Sequence, residues 1–138
     1  EAGGRTFTGC TVPAMALTLE GLGVDALGFN CSMGPDQMLP LVAQLRELTC
    51  LPIIVNPNAG LPESVNGETV YNVNPEAFAE KMEAIAKLGV SYLGGCCGTT
   101  PAHIGAIAKV LEGAPPRAVP TLPVITRLAG LEPMHIAA

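Results

Sequence analysis

Three times along this chain a short aliphatic run stops at a cysteine or asparagine, and a proline then opens a helical pattern. The runs are "VDALGFNC" (24–31), "LPIIVNP" (51–57) and "VSYLGGC" (90–96). The helical segments are "GPDQMLPLVAQLREL" (34–48), "PEAFAEKMEAIAKLG" (75–89) and "PAHIGAIAKVLEG" (101–113). Proline suits the first turn, where its missing N–H would have no partner and its fixed φ is already helical; Pro40 still falls early enough to be tolerated. Asn74 and Thr100 read as N-caps, and Gly89 closes a stripe of Phe78, Met82, Ile85 and Leu88. An earlier helix, "PAMALTLEGLG", starts at Pro13 and is ended by Gly21 and Gly23. Alternation at this spacing calls for an α/β fold with parallel strands and right-handed crossovers. A doubly wound open sheet and part of an eight-stranded barrel both satisfy it, and in either one ligands gather at the carboxyl ends of the strands.

Composition agrees with buried parallel strands. The 138 residues are 49% hydrophobic but only 4% aromatic, with no Trp, so the core is built of small aliphatic side chains. A net charge of −5 and the absence of any Lys/Arg run exclude recognition of nucleic acid or an anionic membrane through a basic face. No apolar stretch reaches the roughly 20 residues of a membrane helix, and no signal-peptide pattern opens the chain. The start, "EAGGRTFTG", reads as a loop entered midway, as expected of a piece of a longer protein. Residues 58–74, "NAGLPESVNGETVYNVN", form a long excursion with a turn signal at Asn66-Gly67. Residues 1–113 form the predicted domain. From 114 to 138 the chain is Pro-rich and aperiodic and reads as a linker.

Five cysteines cannot all pair within the chain, and in a reducing cytoplasm, the expected location, clustered thiols bind metal or do chemistry. Cys31 ends the first predicted strand, Asn58 follows the second, and Cys96 with Cys97 ends the third, so all four are expected on one face. Cys50 precedes a strand at the opposite edge and reads as a buried small hydrophobe. Cys10 precedes a helix, and its loop could lie on the functional face. Adjacent residues on a strand point apart, so Cys96 and Cys97 can reach one metal only where the strand stops and turns, as Gly94, Gly95 and Gly98 permit. Three thiolates suit zinc with a position left open, as in a catalytic site. Asn58 could fill that position with a weakly held amide oxygen. The rival readings are a redox-active vicinal disulfide and two inert buried cysteines. His103 reads as a surface residue, Met33, Met38 and Met82 as core filler, and Tyr71 and Asn72 as exposed loop residues that could touch a ligand.

"GFNCSMGP", "PIIVNPNAGLP" and "GGCCGTTPAHI", in this order and spacing, resemble the carboxyl-terminal half of homocysteine S-methyltransferase barrels over about residues 5–113. The tail "TRLAGLEPMHI" resembles the join between that barrel and the folate-binding domain of the family's cobalamin-dependent members. The resemblance implies the C-terminal portion of a (β/α)8 TIM barrel, about three βα units plus a preceding helix. It implies zinc held by Cys31, Cys96 and Cys97, with Asn58 in the fourth position before homocysteine binds. It implies methyl transfer to the homocysteine thiol, giving methionine, with methylcobalamin supplied by another domain; betaine or S-methylmethionine is the alternative donor, and a scaffold with structural zinc the non-catalytic alternative. The family's grip on the amino end of homocysteine belongs to the other barrel half, so this chain alone is expected to be inactive. Its partners would be that half and the folate and cobalamin domains. Exposed sheet edges further predict self-association.

Overall fold

The computed structural model describes residues 3–136 and contains eleven elements. They are α1 (Val12–Gly21), β1 (Leu27–Asn30), α2 (Pro35–Leu45), β2 (Ile53–Asn56), β3 (Glu63–Val65), β4 (Glu68–Val70), α3 (Pro75–Ala86), β5 (Tyr92–Leu93), α4 (Pro101–Val110), β6 (Thr126–Ala129) and β7 (Pro133–Ile136). β1, β2 and β5 form a parallel sheet in that order, with Leu27 opposite Ile53, Phe29 opposite Val55, and Val55 opposite Leu93. The order never reverses, and the helices pack in series, α1 on α2, α2 on α3 and α3 on α4.

The helix starts follow the sequence. Pro35, Pro75 and Pro101 each open a helix, and Asn74 Oδ1 accepts the Ala77 N–H at 2.9 Å. α1 starts one residue before Pro13 because Thr11 caps it, accepting the Ala14 N–H at 3.3 Å. Pro40 lies inside α2 without ending it. The stripe of α3 is wholly buried at Phe78, Met82 and Ile85, and these meet Met38, Val42 and Leu45 of α2 and the strand residues Ile53 and Val55 in one core. Met38 and Met82 are core residues as expected, and Met33 packs against the same cluster. No helix among the described residues is long and apolar enough to cross a membrane.

Three expectations are corrected. The strands are shorter than the apolar runs: β5 keeps only two residues of 90–96, because β2 ends at Asn56 and beyond Leu93 regular pairing gives way to single bonds, such as Cys96 N–H to Pro57 O, ahead of the turn at Gly98. The tail is not uniformly aperiodic: β6 and β7 form an antiparallel hairpin that packs on α1, where the Thr11 N–H donates to Leu131 O and Arg5 pairs with Glu132. Cys50 is exposed rather than buried, its thiol donating to Pro120 O at 3.3 Å, because the loop ahead of β2 faces the returning tail. The long excursion does turn at Asn66-Gly67, both with positive φ (53° and 83°), as a two-residue hairpin between β3 and β4.

Residues 114–125 lack regular structure but are fastened. The Arg117 guanidinium donates to the carbonyls of Arg46, Thr49 and Leu51, tying the tail to the end of α2 and the loop before β2. Its stem lies against Gly89, where a Cβ would sit 3.1 Å from Arg117 Cγ. Arg117→Ala is expected to lower stability by roughly 1–2 kcal/mol, a range discounted for the half-exposed guanidinium. Protease cleavage within 114–125 should accelerate. Arg117→Lys should not restore the loss, since a single ammonium nitrogen lacks the planar fork whose two nitrogens reach the separate carbonyls; equal denaturation midpoints for wild type and Arg117→Ala would refute the role.

Candidate metal centre

Beyond the last paired residues of the sheet the three loops stay laced to one another. The Cys31 N–H donates to Asn56 O (2.9 Å), the Cys96 N–H to Pro57 O (2.8 Å) and the Ala59 N–H to Cys97 O (2.9 Å). The Asn58 N–H donates to Met33 O (2.9 Å), and buried Asn58 accepts the Cys97 N–H on Oδ1 at 3.1 Å. The continuation of β2 is therefore the spine to which both cysteine loops are attached. Cys31 and Ser32 take left-handed φ values of 63° and 66°, a conformation that costs a non-glycine residue roughly 1 kcal/mol or more. That turn brings the Cys31 side chain back over the strand ends.

The result is a group of three sulfurs. The Sγ atoms of Cys31, Cys96 and Cys97 all lie within 4.8 Å of one another, with Cys31 to Cys97 at 3.7 Å and Cys96 to Cys97 at 3.9 Å. Two bonds of about 2.3 Å at a tetrahedral angle hold sulfurs about 3.8 Å apart, so the donor set fits one zinc ion. All three are half-buried. Gly94 and Gly95 leave room rather than bend, as neither takes the positive φ that the sequence suggested, and Gly98 does both: a Cβ at Gly94 would lie 2.5 Å from Asn56 Oδ1, one at Gly95 2.5 Å from Thr99 Cγ2, and one at Gly98 (φ 77°) 2.4 Å from Tyr71 Cβ.

Without a cation, crowded thiols cannot all ionise, and the environment separates them. The Ser32 backbone N–H, with hydrogen bonds from Cys97 and Cys96, lowers the Cys31 thiol below its ordinary value despite partial burial. The Cys96 thiol is raised, first by its hydrogen bond to Cys31, then by burial and by Cys97. Burial, a hydrogen bond to Cys97 and the charge of all three sulfurs raise the Tyr71 phenol. α2 and α4 begin a few residues after Cys31 and Cys97, so two positive helix ends belong to the same loops.

The structure gathers Cys31, Cys96 and Cys97 into one sulfur group and sets Asn58 beside it through the Cys97 N–H. Cys10 lies outside the sulfur group, its thiol donating to Thr11 O, and Cys50 is at the other end of the sheet. Asn72 donates to Glu63 across the hairpin instead of facing the sulfurs. His103, expected at the surface, is buried at 6% exposure. Its Nε2 lies 2.8 Å from Val73 O, which can only accept, so Nε2 carries the proton and Nδ1 receives the Thr100 N–H at 3.2 Å. A histidine three residues after the N-cap, where Glu or Gln closes a capping box, was the available signal.

A family model described as homocysteine S-methyltransferase matches residues 1–111. The chain is 38% identical over 122 residues to the methionine synthase of Mycobacterium leprae (strain TN), and 37% identical over 131 residues to that of Mycobacterium tuberculosis (strain ATCC 25618 / H37Rv). These alignments cover 85% and 93% of the chain but 10% and 11% of the relatives, so the chain spans about a tenth of their length. The crystal structure of the homocysteine methyltransferase MmuM from Escherichia coli, in its oxidized form, superposes with a TM-score of 0.55 at 30% identity, over 72% of this chain and 30% of that one.

In chain stripped of metal by a chelator, iodoacetamide at about pH 7.5 should modify Cys31 ahead of Cys96, since the lowered thiol has the larger thiolate fraction. The difference should shrink as pH rises past the ordinary thiol value of 9.0. Peptide mapping by mass spectrometry reads the order, and Cys96 reacting first would contradict the electrostatics described above.

Proposed function

The chain belongs to the homocysteine S-methyltransferase family, and on that premise we propose that it carries the zinc-binding rim of a domain that methylates the thiol of homocysteine to give methionine. The sulfur spacing carries this reading: 3.7 and 3.9 Å between neighbouring Sγ atoms suits three thiolates on one tetrahedral ion. Cys31, Cys96 and Cys97 would be the ligands. Asn58 Oδ1 already receives one N–H and has a second lone pair, which makes it the weak fourth ligand that an incoming thiol displaces. Zinc bound there would strip the proton from the homocysteine thiol at neutral pH, so that the sulfur attacks as a thiolate.

The chain's own contribution is charge and shape. Three thiolates outweigh a dication by about one negative charge, which keeps an incoming sulfur electron-rich, while the helix ends at Pro35 and Pro101 offset part of the excess. A closed structural zinc site is the competing reading, and Cys10 is the residue it would need. The position of Cys10 outside the sulfur group favours an open site.

We read the sheet as a sector of a (β/α)8 barrel. Consecutive strand order with helices packed in series suits a barrel, whereas a doubly wound sheet reverses its order. The edges of β1 and β5, and Tyr92 at 58% exposure, suit a surface that further strands would cover. Methylcobalamin, brought by another domain, is the donor we assign, with residues 114–138 leading toward a folate-binding domain. The cytoplasm is the proposed location, since five unpaired thiols suit a reducing compartment.

The purified chain should retain about one zinc per molecule. Cys97→Ser should lose most of it, Cys10→Ser none, and homocysteine should bind only the zinc-loaded form, without turnover by this chain alone. A metal-free chain under zinc-replete conditions, with all thiols open to alkylation, would defeat the proposal. Sedimentation velocity should show self-association through the open sheet edges, and a stable monomer at working concentration would count against it.

A further inference from the structure

The excursion between β2 and α3 returns to the metal centre under restraint. The Val73 N–H donates to Ala59 O at 3.0 Å, and Val73 O accepts from His103 Nε2 at 2.8 Å. Val73 also packs against Gly60, where a Cβ would sit 2.7 Å from Val73 Cγ2. Ala59 is itself bonded to Cys97 O, so the return limb, the spine and the vicinal cysteines form one hydrogen-bonded unit. Two residues before Val73, the Tyr71 side chain lies flat on Gly98, and any Cβ there would come within 2.4–2.8 Å of Tyr71 Cβ, Cγ and Cδ2. Its ring packs against the core cluster, and its phenol lies near enough to Cys97, Cys31 and Cys96 for their charge to raise it.

We propose that Tyr71 is a positioning residue of the metal centre, donating its phenolic proton to Cys97 Sγ and walling one side of the space beside the three sulfurs. The inference rests on the zinc reading above. A phenol is protonated at neutral pH and a zinc-bound sulfur is an acceptor, so the donor and acceptor roles are unambiguous. Such a bond draws electron density from the sulfur and fixes its direction, the part that partners of metal ligands play in general. Gly98 is then required twice: for its left-handed φ, and because a side chain there would drive Tyr71 off the sulfur. His103 acts one step further away, holding the limb that carries Tyr71.

Two conservative variants test this. Tyr71→Phe keeps the wall and removes the donor. It should bind one Co(II) as wild type does, with the sulfur-to-cobalt charge-transfer band shifted to lower energy and metal affinity reduced on the order of tenfold. Tyr92→Phe leaves Tyr71 as the sole tyrosine in a chain without Trp, and Tyr92 is exposed. Zinc titration of this variant should change tyrosine emission with an endpoint at one equivalent. An unshifted band and unchanged affinity in Tyr71→Phe, or flat emission in Tyr92→Phe despite zinc uptake, overturns the role of Tyr71 and leaves the zinc reading standing. Failure of wild type to take up either metal overturns both.

Discussion

The structure depends on one constraint, the lacing of two cysteine loops to the extension of a central strand. β2 ends at Asn56, but its continuation through Ala59 keeps bonding to both sides, receiving the Cys31 and Cys96 N–H groups and donating to Cys97 O. Loops usually carry the mobility of a fold. Here four backbone bonds and the Asn58 amide remove it where sulfurs from distant parts of the chain must stay within 4.8 Å of one another. The helices supply the rigid base. The buried contacts of Phe78, Met82 and Ile85 with Met38, Val42 and Leu45 fix α2 and α3 over the strands, so the strand ends keep their relative height.

Strain and charge both collect at that rim. Two consecutive non-glycine residues in left-handed conformation would be selected against in an ordinary loop, and a triad of thiols would repel on ionising. A bound cation would lower the repulsion directly, and its bond to Cys31 would offset the strain of the turn without removing it. The Cys31 and Cys96 thiols are displaced in opposite directions, the first lowered chiefly by the Ser32 backbone N–H and the second raised chiefly by its hydrogen bond to Cys31, so the two do not compete equally for charge.

At the other end of the sheet the tail plays a structural part. Arg117 satisfies carbonyls left open where α2 ends, so a segment without regular structure still caps a helix and covers the loop ahead of β2. Hairpin β6–β7 then returns to α1. These attachments run over a span whose prolines suggested a free linker, because proline content reports backbone stiffness and is silent about where a single arginine will land.

Much of the fold and most of the site could be read from the chain itself. Local signals, such as prolines at first helical positions, the Asn74 cap and the Asn66-Gly67 turn, depend on neighbours a few residues away and are written in the sequence. The same locality brought Cys31, Asn58, Cys96 and Cys97 to one rim, since each follows a strand that parallel pairing must align. What only the tertiary structure decided are contacts between segments far apart: the burial of His103 against Val73, the seat of Tyr71 on Gly98, the exposure of Cys50 and the reach of Arg117. Strand length belongs with them, because regular pairing stops at Leu93 although single bonds to the continuation of β2, such as Cys96 N–H to Pro57 O, carry on beyond it. Periodicity records which face of an element is apolar; it does not record which distant backbone groups will meet it.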